Sequence, residues 1–276
     1  MSINAKQSSA RILRYLVLIL LACSCLVPFL WTILGSFKSR TEIYTSAFGL
    51  PKVFLLENYE NCWFRVNILQ GLMNSLIYCS VAAVLILVLS SMASYVLSKH
   101  LKSRLLYMYF ILGIMIPIPS VLIPLFVMIS KMGLANTGLG IVLIYTAVNM
   151  SIAVLILVPF LRDVPDEIEE SAVIDGCGLV KRFFLIMMPL TKPALATVAI
   201  ITFIGNWNDY LLAMVFLALR RIQTITIKVF TLKDQFDPDF GMVMAGLTIA
   251  VIPVIILYII FQERIVTGMI AGSLKA

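Results

Sequence analysis

Along this chain the apolar positions gather into long unbroken blocks, and charged residues or Pro and Gly punctuate the gaps between them. Six blocks, at about residues 13–35, 72–97, 105–130, 139–161, 190–219 and 241–261, are each long enough for a helix to cross a bilayer, which takes roughly 20 apolar residues. Inside hydrocarbon every backbone amide must find its partner within the chain, so such blocks predict spanning helices. The pattern therefore predicts an all-α polytopic membrane protein of six transmembrane helices. An even number of crossings puts both termini on one side. With no internal repeat or separate soluble segment, the chain reads as a single transmembrane domain over residues 1–276.

Composition agrees. A chain that is 61% hydrophobic and 13% charged, with mean hydropathy +1.03, lacks the polar surface a water-soluble globule needs. Its formal charge of +7 is spread through the connections rather than clustered, which argues against nucleic acid as a partner and leaves membrane lipid as the solvent. The five cysteines, Cys23, Cys25, Cys62, Cys79 and Cys177, lack metal-ligand spacing and read as small buried hydrophobes. In the first block Leu20, Leu21, Ala22 and Cys23 look like a lipoprotein cleavage site, but the apolar run continues through Phe29, Leu30, Trp31 and Leu34, and an uncleaved helix is the better reading. Lys99, Lys102 and Arg104 crowd the connection between the second and third blocks, whereas the next connection carries only Lys131; this density favours both termini in the cytoplasm.

Three connections, 36–71, 162–189 and 220–240, are too long for simple turns, and loops of that length usually carry function. On the favoured topology the middle one is cytoplasmic. Its sequence predicts two short helices joined by a glycine elbow. Asp163 can cap the first helix, Pro165 fits its first turn, and Asp166 and Glu167 complement the positive end of its dipole. Gly176 and Gly178 then end it. Ile168, Ser171, Ala172 and Asp175 share one face of that helix, where small side chains permit close approach and Glu170 and Asp175 offer charged acceptors. That suits docking into a protein cleft; composition alone also fits a solvated amphipathic helix.

The series Glu170, Ser171, Ala172, Asp175 and Gly176, followed by Phe183, Pro189 and Pro193, resembles the EAA loop of permease subunits in binding-protein-dependent ABC importers, with Ser171 at a position where that family often has Ala. The segment Leu56–Tyr59, Asn74 and Ser75, the stretch Gly133–Gly138, the run Trp207, Asn208 and Asp209, and the tail Gly268–Lys275 extend the likeness to carbohydrate-uptake permeases similar to the smaller channel subunit of the maltose system. The resemblance implies a bacterial inner-membrane permease that moves a sugar or oligosaccharide, with a cytoplasmic coupling helix between spans four and five. It implies four kinds of neighbour: a second homologous permease, two cytoplasmic ABC ATPase subunits, an extracytoplasmic solute-binding protein and lipid. No Walker A pattern occurs in the chain, so ATP and Mg are expected on the ATPase subunits, with no cofactor and no catalysis here.

A polar solute's path needs uncharged hydrogen-bonding groups turned away from lipid. The candidates are Asn74, Ser75 and Tyr78 in span two, Ser120 in span three, Asn149 and Ser151 in span four, and Asn206, Asn208 and Asp209 in span five; the competing role for each is a bond between helices. Asp209 lies near the outer interface, which predicts a structural role or a contact with the outer loop. Pro117, Pro119 and Pro124 predict a hinge or a static kink in span three. Thr224, Ile225, Thr226, Ile227 and Lys228 alternate as an extended segment does. His100 reads as solvated or facing headgroups. An ion-coupled secondary transporter is the alternative, but it calls for ionisable groups at mid-membrane; an intramembrane enzyme calls for a constellation of acids or histidines, and neither pattern is evident in the spans.

Overall fold

In a computed structural model, the described residues are 2–233 and 239–273, with side chains described over 11–233 and 239–262. Their regular structure is all helical. Helix α1 (Ser2–Gly35) is followed by the short α2 (Arg40–Thr45) and α3 (Glu57–Phe64). Helix α4 (Ile68–Tyr95) continues through a π turn at Val96–His100; α5 (Arg104–Leu112) and α6 (Ile118–Lys131) come next, then α7 (Gly138–Arg162). The middle connection holds α8 (Asp166–Ile174), α9 (Leu179–Arg182), a π turn at Phe183–Met187 and the single turn α10 (Met188–Leu190). Helices α11 (Lys192–Asn208), α12 (Leu211–Phe216), α13 (Ile225–Thr231) and α14 (Phe240–Ser273) complete the chain.

Four helices are long and apolar enough to cross a membrane unaided, and six crossings result if each of two bent pairs makes one span. The first bent pair places a sharp break where the prolines of span three predicted a hinge or kink. Its limbs, Arg104–Met115 and Ile118–Lys131, meet at 101°. Pro117 has no N–H to donate and holds Ile116 extended (φ −80, ψ 114), so the helix stops and restarts in a new direction. The limbs are about 18 and 21 Å long, each short of a hydrocarbon core of about 30 Å. In the second pair Leu179–Leu190 meets Lys192–Asn208 at 77°, the bend expected at Pro189 and Pro193. The buried Thr191 hydroxyl donates to the Met187 and Met188 carbonyls (3.0 and 3.2 Å) at this elbow.

The chain divides into two compact units. One comprises Met1–Ile68 with Lys228–Ile252. There the buried Lys38 ammonium donates to the Ser46 and Ala47 carbonyls (2.7 and 3.2 Å), and Asn58 donates to those of Ser36 and Lys38 (2.8 and 2.9 Å). Cys62 is fully buried and donates to the Met242 carbonyl (3.3 Å); burial, then the nearby Asp239 carboxylate, pushes its thiol up to about 11. Cys79 is buried likewise, but Cys23 and Cys25 are exposed, contrary to expectation, because α1 leaves its apolar surface uncovered from Arg11 to Leu30.

The other unit comprises Leu69–Ile227 with Pro253–Ala276 and holds the main core. On α7, Ile141, Ile144, Tyr145, Ala153, Leu157 and Leu161 form a stripe of helical spacing that packs with Tyr78, Ala82 and Ile86 of α4 and with Val198, Leu212 and Phe216. The segment Thr224–Lys228, expected to be extended, instead enters helix α13 with Ile225 and Ile227 buried. Five alternating residues cannot establish a strand without a neighbouring strand to pair with, and the described residues contain none.

The start of α7 shows how tight this packing is. The Thr137 hydroxyl accepts from the Gly140 N–H (3.0 Å), and a Cβ on Gly140 would lie 2.3 Å from the Leu134 carbonyl oxygen. Gly140→Ala is therefore expected to lower stability by about 1–3 kcal/mol. At Gly205, also helical, a Cβ meets nothing within 4 Å, and Gly205→Ala should be neutral or stabilising by up to about 1 kcal/mol. Thermal unfolding of the two variants in detergent checks the contrast; equal midpoints would contradict it.

Candidate functional site

The middle connection folds as two short helices around a glycine elbow. Helix α8 starts late: Pro165 is its N-cap, with extended backbone (φ −56, ψ 139) and no capping side chain. The expected cap, Asp163, instead closes α7, its N–H bonding the Pro159 carbonyl (3.2 Å), because Pro165 keeps Val164 out of the helix and sets the first turn beyond Asp163's reach. At the other end the Cys177 N–H reaches the Ala172 carbonyl (2.9 Å) and the Gly176 N–H that of Val173 (3.0 Å), while Gly176 takes φ +75. This is a Schellman stop, for which glycine carries no steric cost. Gly178 opens α9 rather than closing α8.

Charge ties α8 to the end of α4. The Lys99 ammonium lies 2.7 Å from one oxygen of Asp166 and also donates to the Val164 carbonyl, and Lys102 lies 3.1 Å from the other oxygen. These hydrogen bonds, Lys99 first, hold the Asp166 carboxyl below the ordinary carboxylate range. Since the folded-state pKa is the lower one, the pairing contributes fully above the ordinary value and is lost as pH falls through the depressed one. Asp166 is also on the first turn of α8, where its charge complements the helix dipole.

A second, buried tie was not foreseen. Glu169, next to the expected Glu170, turns inward: Tyr95 of α4 donates to its Oε1, Arg182 of α9 donates to the same oxygen at 3.0 Å, and His100 Nε2 lies 3.5 Å away. His100, expected to be solvated or to face headgroups, is exposed and also meets Tyr95 edge to face, with ring centroids 4.9 Å apart. Phe183 also packs against Tyr95, with ring centroids 5.5 Å apart. The available signal was an acid, Glu169, about 100° around the helix from Glu170 and 13 residues before Arg182. Spacing within one loop says nothing about Tyr95, 74 residues away.

These ties decide which face of α8 is outward. Glu170, Ser171, Asp175 and Gly176 are exposed, together with Val173 and Ile174 at 52% and 86%. Ala172 is buried, so its small side chain lets α8 lie close to the chain's own core, not to a visitor; it departs from the shared face expected with Ile168, Ser171 and Asp175.

The polar residues of the spans mostly bond other groups of the chain, backbone more often than side chain. Asn149 donates to Tyr145's carbonyl (2.8 Å) and to Asn206 Oδ1 (2.9 Å), linking α7 to α11. Asp209 accepts from the Tyr145 hydroxyl (2.9 Å) and from the Leu212 and Ala213 N–H groups (3.2 and 2.9 Å), and its carbonyl accepts from Thr226 (2.8 Å). It thus caps α12 across the break in span five and holds the following loop, as expected of a structural acid. Asn74 donates to the Arg221 and Gln223 carbonyls (both 3.0 Å), and Ser75 accepts from the Ile225 N–H (2.9 Å). Tyr78 is buried against Gly138, where a Cβ would approach its ring to 2.5 Å, and Ser151 fills the space beside Gly113. Ser120 and Asn208 are exposed. A cleft of about 590 Å³ lies between α4, α11 and the second half of α14, lined chiefly by apolar side chains such as Leu87, Phe203, Leu257 and Phe261, with Ser80 and Lys192. No cluster of metal-ligating side chains occurs among the described residues, and the tail Gly268–Lys275 lies outside the described side chains.

Comparison with known proteins gives a consistent set of relatives. The family described as "Binding-protein-dependent transport system inner membrane component" matches residues 86–271. A diacetylchitobiose uptake system permease protein of Streptomyces coelicolor is 35% identical over 94% of this chain and 87% of its own length. A probable starch degradation products transport system permease protein of Thermoanaerobacterium thermosulfurigenes is 33% identical (93% and 94%), as is a trehalose/maltose transport system permease protein of Thermococcus litoralis (96% and 97%). Among solved structures, a chain of a bacterial ABC transporter that imports the acidic polysaccharide alginate superposes with TM-score 0.83 at 21% identity, covering 95% of this chain and 98% of that one.

Replacing Glu169 leaves Arg182 with an unneutralised charge in a half-closed site. Glu169→Leu should cost about 3 kcal/mol and raise hydrogen exchange across residues 166–176, and the double variant E169L/R182M should restore most of the protection. Equal exchange in the single and double variants would show that this pair does not hold α8.

Proposed function

Because the chain belongs to the family of binding-protein-dependent transport system inner membrane components, we propose that it forms half of the path by which an ATP-driven importer takes up a sugar or oligosaccharide. It is a multi-pass, channel-forming permease subunit of an ABC importer and not an enzyme. The sugar assignment draws on relatives whose names refer to diacetylchitobiose, starch degradation products and trehalose or maltose.

The observation that carries the mechanism is the outward face of α8. A helix of nine residues is marginal alone, yet α8 is tied by Asp166 and Glu169 to the end of α4 and to Arg182, and it presents Glu170, Ser171, Ile174 and Asp175 outward. In our reading this face docks on a cytoplasmic ATPase, with both chain termini on the same side of the bacterial inner membrane. A second homologous permease, a second ATPase subunit, and an extracytoplasmic binding protein complete the assembly, and ATP and Mg belong to the ATPases. Closure of the ATPases moves α8 as one body with α9, and the 77° elbow at Thr191 passes the motion into α11. Of the polar candidates for the solute path, exposed Asn208 and Ser120 are free to meet a sugar; Asn74, Ser75, Asn149 and Asn206 hold the walls in place.

Family membership also sets the ion-coupled alternative aside. Reconstituted with its partners, the complex should accumulate labelled oligosaccharide with ATP inside the vesicles and none when an ion gradient replaces ATP; the reverse result would overturn the reading. Gly176→Val forces a β-branched residue into φ +75 at a position with no atom within 4 Å, so the strain falls on the elbow and not on packing. The variant should assemble and hydrolyse ATP while uptake falls at least about tenfold, which a penalty of 1–3 kcal/mol permits.

A further inference from the structure

The end of α4 also borders an unassigned cavity of about 640 Å³, lined by Ser98, Lys99, Lys102, Arg104, Tyr107, Met108, Ile111, Arg162 and Asp166. Four cations surround a single carboxylate. Lys99 is spent on Asp166 and the Val164 carbonyl with a side chain only 3% exposed, but Lys102 keeps 62% of its side chain open, and Arg104 and Arg162 are both exposed. Arg162 is set in place by Tyr107, its guanidinium carbon 5.1 Å from the ring centroid.

The apolar part of the lining identifies the ligand class. Arg104, Tyr107, Met108 and Ile111 stand at spacings of three and four on α5, so one helix face carries a cation at its head and apolar side chains for about 10 Å below it. Beside this face, Leu105, Tyr109 and Leu112 are 80%, 73% and 55% exposed, as lipid-facing residues are. A free phosphate has no use for the apolar wall, and a neutral lipid none for the cations. We propose that this cavity is a binding site for an anionic phospholipid, whose phosphodiester sits between Lys102, Arg104 and Arg162 while one acyl chain follows Met108 and Ile111. The site shares Lys102 and Asp166 with the tether of α8, so a bound lipid would stand beside that tether, on whichever side of the membrane it lies.

The test is native mass spectrometry of the full chain in a mild detergent, offered phosphatidylglycerol or phosphatidylcholine. Wild type should retain one phosphatidylglycerol and release phosphatidylcholine. Near a membrane surface each cation contributes roughly a fivefold change in affinity, so Arg104→Gln should weaken retention about fivefold and R104Q/R162Q about thirtyfold. The charge-preserving R104K/R162K should stay within about twofold of wild type, which separates charge from any loss of folding. Equal retention of both lipids, indifference to R104Q, or displacement of the lipid by millimolar inorganic phosphate would overturn the assignment, the last by showing a site for free anions.

Discussion

Hydrocarbon offers no partner to a broken helix, and that constraint governs how this chain can be anything other than six straight rods. The spans are interrupted three times, and each interruption is closed by groups of the chain itself. At Pro117 a 3₁₀ turn supplies the Ile116 N–H to Gly113 and the Ser120 N–H returns to Pro117. At Thr191 the side-chain hydroxyl doubles back on two carbonyls. At Asp209 a carboxylate takes two N–H groups of the next helix and a tyrosine hydroxyl at once. These bonds lower the cost of an elbow and half-length limbs in an apolar environment.

The same economy explains the division of labour among polar residues. Buried Ser75 and the Oδ1 of Asn206 are committed to neighbours, and α8 leaves Glu167 and Glu170 exposed while Asp166 and Glu169 are paired within the chain. An ionised group pointing inward is tolerated at Glu169 since Tyr95 and Arg182 meet it there. Asp166 and Glu169 together fix α8 to the end of α4 and to Arg182, so the loop between α7 and α11 is held by side-chain bonds from one short helix.

Much of this was legible in residue order. Apolar block length marked the crossings, and Gly176 marked the elbow because a left-handed exit has a residue signature. Pro189 and Pro193 marked the 77° bend for a similar reason. Other features had no local signature. Asp163 matched the cap rule, but Pro165 overrode it. Glu169 and Glu170 are identical in type, and only the fold decides which one faces Tyr95. Short alternation at Thr224–Lys228 resembled a strand because period alone cannot report whether a pairing edge exists. Tyr95, His100 and Arg182 converge from three elements, and long-range convergence of that kind is what a single sequence conceals.

Helix α4 and its π turn run for 33 residues, about 50 Å, well beyond the thickness of the bilayer's oily layer. The surplus carries Lys99 and positions Lys102 just past it, so the mast of one crossing also serves as mooring post for a loop that begins more than sixty residues later. Heredity can therefore retune the loop's stiffness from a distance: exchanges at the foot of α4 alter how firmly α8 is berthed while leaving untouched the surface it shows to the outside.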